Sequence, residues 1–179
     1  YWGVDKQYDL PHHSIFFAED YRKNVAEISE QLVLSEDMSF YIQNACVTDD
    51  TLAPEGQSTL YVLVPVPNNR SAIDWDRELG PYRDKVLDAI ERRAGLTDLR
   101  DHIVAERIHT PAHWENELDV YEGAVFNLAH SMDQMLYWRP HNDFEEFDRC
   151  YLVGGGTHPG SGLPTIYQSG IISAEMIQQ

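Results

Sequence analysis

The chain has 179 residues, with 30 Asp and Glu against 13 Lys and Arg, a formal charge of −17 at neutral pH. With 42% hydrophobic residues and only 11 Gly and 9 Pro, it carries the side chains for a packed core, which excludes disordered, collagen-like and coiled-coil classes. No apolar run approaches the roughly 18 residues a spanning helix needs, and an acidic surface repels nucleic acid, whose binders gain affinity by neutralising phosphates with Lys and Arg.

The same charge argues against electrostatic docking to anionic lipid, so any membrane contact would be apolar and peripheral. The expected setting is cytoplasmic, with Cys46 and Cys150 as two reduced, buried thiols, since their spacing fits no metal motif. The opening Tyr1-Trp2-Gly3-Val4 has no Met, basic stretch or apolar run, and reads as a segment of something longer, not as a secretory leader.

In chain order, His13-Ser14-Ile15-Phe16-Phe17 has the β-branched and aromatic content of a short strand. From Asp20 the period changes: Tyr21, Val25, Ile28 and Leu32 fall on one helical face, with Arg22, Lys23 and Glu27 towards water. Residues 39–47 and 59–66 predict an antiparallel strand pair joined by turn chemistry over 48–58, the second strand interior to a sheet and ended by Pro65 and Pro67. A helix is predicted from Gly80-Pro81 to Gly95, burying Tyr82, Val86, Ile90 and Ala94. A strand over 102–109 follows, then a short helix capped by Thr110 and carrying Trp114 and Leu118, then strand-like Ala124-Val125-Phe126.

The last thirty residues read as strand, glycine loop, helix. Tyr151-Leu152-Val153 predicts a short buried strand, and Leu163, Ile166, Gly170, Ile171, Ala174 and Ile177 form one face of the closing helix. Between them lies Gly154-Gly155-Gly156-Thr157-His158-Pro159-Gly160-Ser161-Gly162, with five glycines in nine residues. Such a loop lets phosphates approach backbone, and the helix after it offers unpaired N–H groups. Neither a Gly-Lys-Ser/Thr ending nor a Gly-x-Gly-x-x-Gly spacing is present, so on the glycines alone a tight turn feeding a helix is favoured over a ligand site. Ser161 is no hydrolase nucleophile: Pro159 and Leu163 stand where a nucleophile elbow needs glycines, and no His follows. The eight histidines form no metal-ligand pattern, and Asp49-Asp50 and Glu145-Glu146 read as solvated loop charge.

The segment Tyr151 to Pro164 resembles the C-terminal flavin-binding signature of bacterial and fungal-type phytoene desaturases, within the FAD-dependent amine-oxidase-like oxidoreductases. Thr48-Asp49, Leu52-Ala53-Pro54-Glu55-Gly56, Leu63-Val64-Pro65-Val66-Pro67 and Arg139-Pro140-His141-Asn142 are similar to further motifs of that family, in the family's order. The resemblance covers essentially the whole chain and implies the C-terminal third of a carotenoid desaturase, which removes hydrogen across C–C bonds of a polyene such as phytoene and passes electrons to FAD. The family's Rossmann-type glycine fingerprint has no counterpart here, so the resemblance implies that this chain alone holds no FAD and turns over no substrate.

The fold it implies is α+β: a mixed, largely antiparallel sheet flanked by helices, residues 1–148 being part of a substrate-binding domain and 149–179 the strand–loop–helix of a discontinuous FAD-binding domain. Gly155, Gly156 and Thr157 would lie against the flavin's ribityl and pyrophosphate, with Gly160, Gly162, Leu163 and Pro164 beneath the isoalloxazine. Phe40, Ile42, Tyr61, Leu63, Phe126 and Tyr137 would line an apolar tunnel for the polyene, although such residues are more often the ordinary material of a core. No catalytic residue is assigned. Met132, Met135, Leu136, Tyr137 and Trp138 form an apolar cluster suited to touching membrane or to helix–sheet packing. Bare apolar faces predict self-association of the chain by itself. Two alternatives stand beside the desaturase: a related isomerase or saturase, and a non-enzymatic module that carries an apolar lipid.

Overall fold

The computed structural model describes residues 1–178, which form two compact units, Tyr1–His113 and a second beginning at Trp114. The expected α+β class is present. Residues 114–148, grouped above with the first part of the chain, belong to the second compact unit.

In the first unit, β1 (Trp2–Val4), β2 (His13–Phe16), β3 (Phe40–Asn44), β4 (Ser58–Leu63) and β5 (Ile103–Glu106) make one five-stranded sheet in the order β2-β3-β4-β1-β5. Every neighbouring pair is antiparallel. The near-continuous apolar run of β4 does lie inside the sheet, and the strand ends at Leu63, before the prolines. Strand alternation sends Phe40, Ile42 and Asn44 to one face and Tyr41 and Gln43 to the other. The first face packs with Trp2, Val4, Leu60 and the helix α2 (Trp75–Ala94), whose Tyr82, Val86, Leu87 and Ile90 complete the core.

Helix α2 begins earlier than the Pro81 signal suggests. The Asp74 carboxylate accepts hydrogen bonds from the Asp76 and Arg77 N–H groups and starts the helix at Trp75, so Pro81 lies inside it. There the missing N–H leaves only the Arg77 carbonyl without its helical donor. The predicted stop holds: Gly95 takes φ +73°, the left-handed conformation a C-terminal glycine supplies without strain.

The first helix departs further from its pattern. Helix α1 (Tyr21–Ala26) runs into a π turn over Glu27–Gln31, and it is Asn24 that points inward, with Tyr21 and Val25 exposed. The Asn24 amide donates to Ser35 Oγ at 2.8 Å and its oxygen accepts the Ser39 N–H at 3.1 Å, so hydrogen bonds and not the apolar stripe fix the helix. After the short helix α3 (Leu99–His102), β5 ends at Glu106, three residues sooner than expected. Helix α4 (Pro111–Leu118) is capped as predicted, Thr110 Oγ1 accepting the His113 N–H.

The second unit is built differently. Its buried side chains, among the described residues, are Arg139, Asn142, Thr157, Ser169 and Ser173, all polar. The expected strand at Ala124–Phe126 is a run of turns, with the Asn127 N–H donating to Ala124 O and both Val125 and Phe126 exposed. Tyr151-Leu152-Val153 is likewise no buried strand: Tyr151 makes a single antiparallel bridge to Asp143, and Val153 is exposed. The closing helix α5 (Leu163–Ile177) exists; on its predicted apolar face Leu163, Ile171 and Ile177 are turned to solvent, while Ser169 and Ser173 turn inward. The Asn142 amide explains this, its NH2 lying within hydrogen-bond reach of three acceptors, Ser169 Oγ (3.0 Å), Leu152 O (3.1 Å) and Ser173 Oγ (3.3 Å), while the Ser173 hydroxyl donates to Leu152 O at 2.8 Å. Once buried, these groups are costly to leave unpaired, so the helix rotates to satisfy them.

Candidate functional site

The glycine turn sits on a buried cation. Arg139 is 1% exposed. Its Nε donates to Gly155 O at 3.1 Å, its Nη2 to the same oxygen, and its Nη1 to Gln134 O (3.0 Å) and Ala129 O (3.4 Å). Among the described residues these partners are all carbonyls, and none is a carboxylate. One guanidinium therefore ties three stretches of backbone together and leaves its own charge unneutralised beneath the turn.

The seven residues expected to meet the flavin divide into inward and outward sets. A Cβ at Gly156 would lie 2.9 Å from the Asn127 amide and one at Gly155 3.2 Å from Ser161 Cβ, so a side chain at either position would press on a neighbour that has to shift. Thr157 is buried and its hydroxyl donates to Pro140 O at 2.7 Å, and Gly160 is buried beside Arg139. Gly162, Leu163 and Pro164 are exposed. Gly154 has φ +125°, and a Cβ there would project into open space, so glycine is needed for backbone conformation and keeps the volume over the turn clear. Gly162 precedes α5 without a side-chain cap, leaving the helix start to backbone N–H groups. A clear volume, uncapped N–H groups and an unneutralised cation below them suit an anionic group such as a pyrophosphate.

A second feature lies on the sheet of the first unit. Pairing of Tyr41 with Leu63, of Gln43 with Tyr61, of His13 with Gln43 and of Ile15 with Tyr41 places all these side chains on the face turned away from the core. Tyr1 joins them, its ring 5.1 Å from that of Tyr61, and Tyr61 is 6.0 Å from Tyr41. His13 Nδ1 is 2.6 Å from the Tyr41 hydroxyl. Burial, followed by its neighbours Tyr1 and Tyr41, raises the Tyr61 phenol above the ordinary tyrosine range, so Tyr61 itself is uncharged at neutral pH.

The expected tunnel residues are thus split. Phe40 and Ile42 are 1% exposed each and lie on the core face, the opposite side of the sheet from Tyr61 and Leu63. Phe126 and Tyr137 are exposed residues of the second unit. Sequence reading missed Tyr41 and Ile15, which the alternation of β3 and β2 would have placed beside Tyr61 and Leu63 once the register was known. Nothing in the spacing of Arg139 and Asn142 along the sequence signals their burial.

Several other features are structural. Asp49 caps a 3₁₀ turn, its carboxyl held below the usual range by the Thr51 hydroxyl and N–H. Cys46 and Cys150 are free and partly exposed, not buried. An open cleft of about 350 Å³ lies between His141, Asp143, His158 and Met176. Among the described residues no cluster of His, Cys, Asp or Glu is placed to hold a metal, and no helix is long and apolar enough to cross a membrane.

No family model matches the sequence. Among curated proteins, phytoene and diapophytoene desaturases up to 58% identical match over the whole chain, which corresponds to their C-terminal portion. It is 58% identical over 179 residues to a 4,4'-diapophytoene desaturase (4,4'-diapolycopene-forming) of Methylomonas sp, covering 100% of this chain and 35% of that protein. It is 42% identical to an all-trans-zeta-carotene desaturase of Myxococcus xanthus, over 99% of this chain and 34% of the relative. To a lycopene-forming phytoene desaturase of Pseudescherichia vulneris it is 38% identical, over 99% of this chain and 36% of the relative. The chain therefore spans about a third of the length of the curated relatives it matches.

Proposed function

We propose that this chain is the C-terminal part of an FAD-dependent desaturase that dehydrogenates a long apolar polyene of the phytoene or diapophytoene type in carotenoid biosynthesis. The observation that carries the proposal is the 58% identity over all 179 residues to a diapophytoene desaturase. In this reading the five-stranded sheet belongs to the substrate-binding domain, and residues 149–179 belong to a flavin-binding domain completed by polypeptide outside this chain.

The open sheet face supports the substrate assignment. Ile15, Tyr41, Tyr61 and Leu63 offer apolar area and aromatic ring faces, the surface a hydrocarbon without polar groups can use. Phe126 and Tyr137 offer further apolar surface on the second unit. The glycine turn supports the cofactor assignment: Gly154 leaves room, Gly155 and Gly156 bring backbone close, Thr157 and Gly160 hold the turn in shape, and Gly162, Leu163 and Pro164 present the helix start. Bound FAD supplies the two-electron acceptor for removing hydrogen across C–C bonds. The protein's own contribution here is to orient the cofactor, exclude water with apolar side chains and hold the polyene straight. The exposed Met132, Leu136, Tyr137 and Trp138 are suited to peripheral contact with the membrane in which such a substrate dissolves.

The test is made on the full-length protein. It is expected to purify yellow, release FAD on denaturation, and convert phytoene or diapophytoene to more unsaturated products resolved by chromatography. A colourless protein that stays so when FAD is added overturns the reading. An isomerase or saturase would instead return a product of equal or lower unsaturation. Binding of polyene by the 179-residue chain alone, with no flavin requirement in the full-length protein, would establish the carrier alternative.

A further inference from the structure

Arg139 makes two N–H donations to one carbonyl, that of Gly155, and the consequence lies on the other side of that peptide. In a trans peptide the C=O and the following N–H point in opposite directions. With Gly155 O pulled down onto the guanidinium, the Gly156 N–H points away from Arg139. The remaining donors of Arg139 are fixed on Ala129 O and Gln134 O, so the guanidinium cannot follow if the peptide flips. Its charge, unopposed by any carboxylate among the described residues, adds a positive field on the side to which the N–H points.

We propose that Arg139 is a positioning residue for the cofactor: it locks the Gly155–Gly156 peptide so that the Gly156 N–H is presented to a phosphate of the FAD pyrophosphate. Arg139 touches neither cofactor nor substrate in this assignment. It acts through one peptide group and through its field. Lysine cannot take its place in full, because an ammonium has no planar fork to bridge three carbonyls. The inference rests on the flavin reading above and assigns the residue that makes the turn competent for it.

The experiment uses the full-length protein and measures competition of ADP and of adenosine against FAD, whose affinity ratio isolates the diphosphate. In R139M this ratio is expected to fall at least tenfold, and in R139K by a smaller factor, with the far-UV circular dichroism unchanged. N142A, which loosens the same unit without touching the Gly155 carbonyl, should weaken both competitors alike and leave the ratio at the wild-type value. A wild-type ratio in R139K overturns the proposal, as does a loss in N142A equal to that in R139M, which would make Arg139 a structural tie only. If neither Arg139 variant folds, a semisynthetic protein with an ester in place of the Gly155–Gly156 amide deletes the same N–H with Arg139 in place, and an unchanged ratio there overturns it equally. Wild-type protein that binds no FAD at all would refute the functional reading instead, so the two failures are separable.

Discussion

Single polar side chains decide where the secondary elements lie. Asn24 is 2% exposed and bridges Ser35 to the Ser39 backbone, while the Ser39 hydroxyl accepts the Ala18 N–H at 3.0 Å. Replacing it strands a buried hydroxyl and a buried N–H, so Asn24→Ala is expected to destabilise the first unit by about 1–3 kcal/mol, read from urea unfolding followed by tryptophan fluorescence. Asp98 acts at the surface. The Lys6 ammonium is the main influence holding its carboxyl below the usual range, joined by the Tyr8 hydroxyl and by His102. A carboxylate whose folded pKa is lowered contributes stability that is full above its unfolded value and is lost as pH falls through the folded one. Stability should therefore decline below about pH 4, and the decline should be shallower in Asp98→Asn than in wild type when denaturation midpoints are compared across pH.

Among the elements, α2 was the most legible. Tyr82, Val86 and Ile90 recur at helical spacing and are all buried, and Gly95 marks the end. Its start was hidden because Pro81 is a louder signal than Asp74, although the cap chemistry resides in the aspartate. Asp74→Ala is expected to cost about 0.5–2 kcal/mol, and Gly95→Ala about 1 kcal/mol from backbone strain alone, since a Cβ there meets no other atom. Thermal unfolding of both variants checks the two ends of the helix independently. Strands β3 and β4 were found from composition, but which of their residues share a face depended on register, and this is why Phe40 and Ile42 were placed with Tyr61 and Leu63. Helices α1 and α5 misled for a common reason. Hydrophobic periodicity identifies the apolar side of a helix, and in both cases that side is not the one buried within this chain, because Asn24 on one and Ser169 and Ser173 on the other have partners to reach. The candidate turn was legible as glycines, whereas its support was not, since no composition rule foretells a buried arginine bound only to carbonyls.

The two units differ in what holds them together. The first encloses a continuous apolar core from Trp2 to Leu99, whereas the second buries polar side chains and exposes Phe126, Met132, Leu136, Tyr137, Trp138, Leu163 and Tyr167. Exposed aromatic and aliphatic side chains of this kind favour association. The 179-residue chain alone should therefore self-associate, with light scattering showing a mass that rises with concentration. A monomer at high concentration would contradict this. Hydrogen exchange on dilute chain should show the slowest amides in the first unit, where burial of hydrocarbon adds to the hydrogen bonds. The hydroxyls of Ser169 and Ser173, four positions apart, also work as an index mark along the final helix. Sliding that helix by one turn would bring Ile177 or Thr165 to the Asn142 amide, so greasy surfaces that tolerate slippage are kept in phase by a carboxamide that does not.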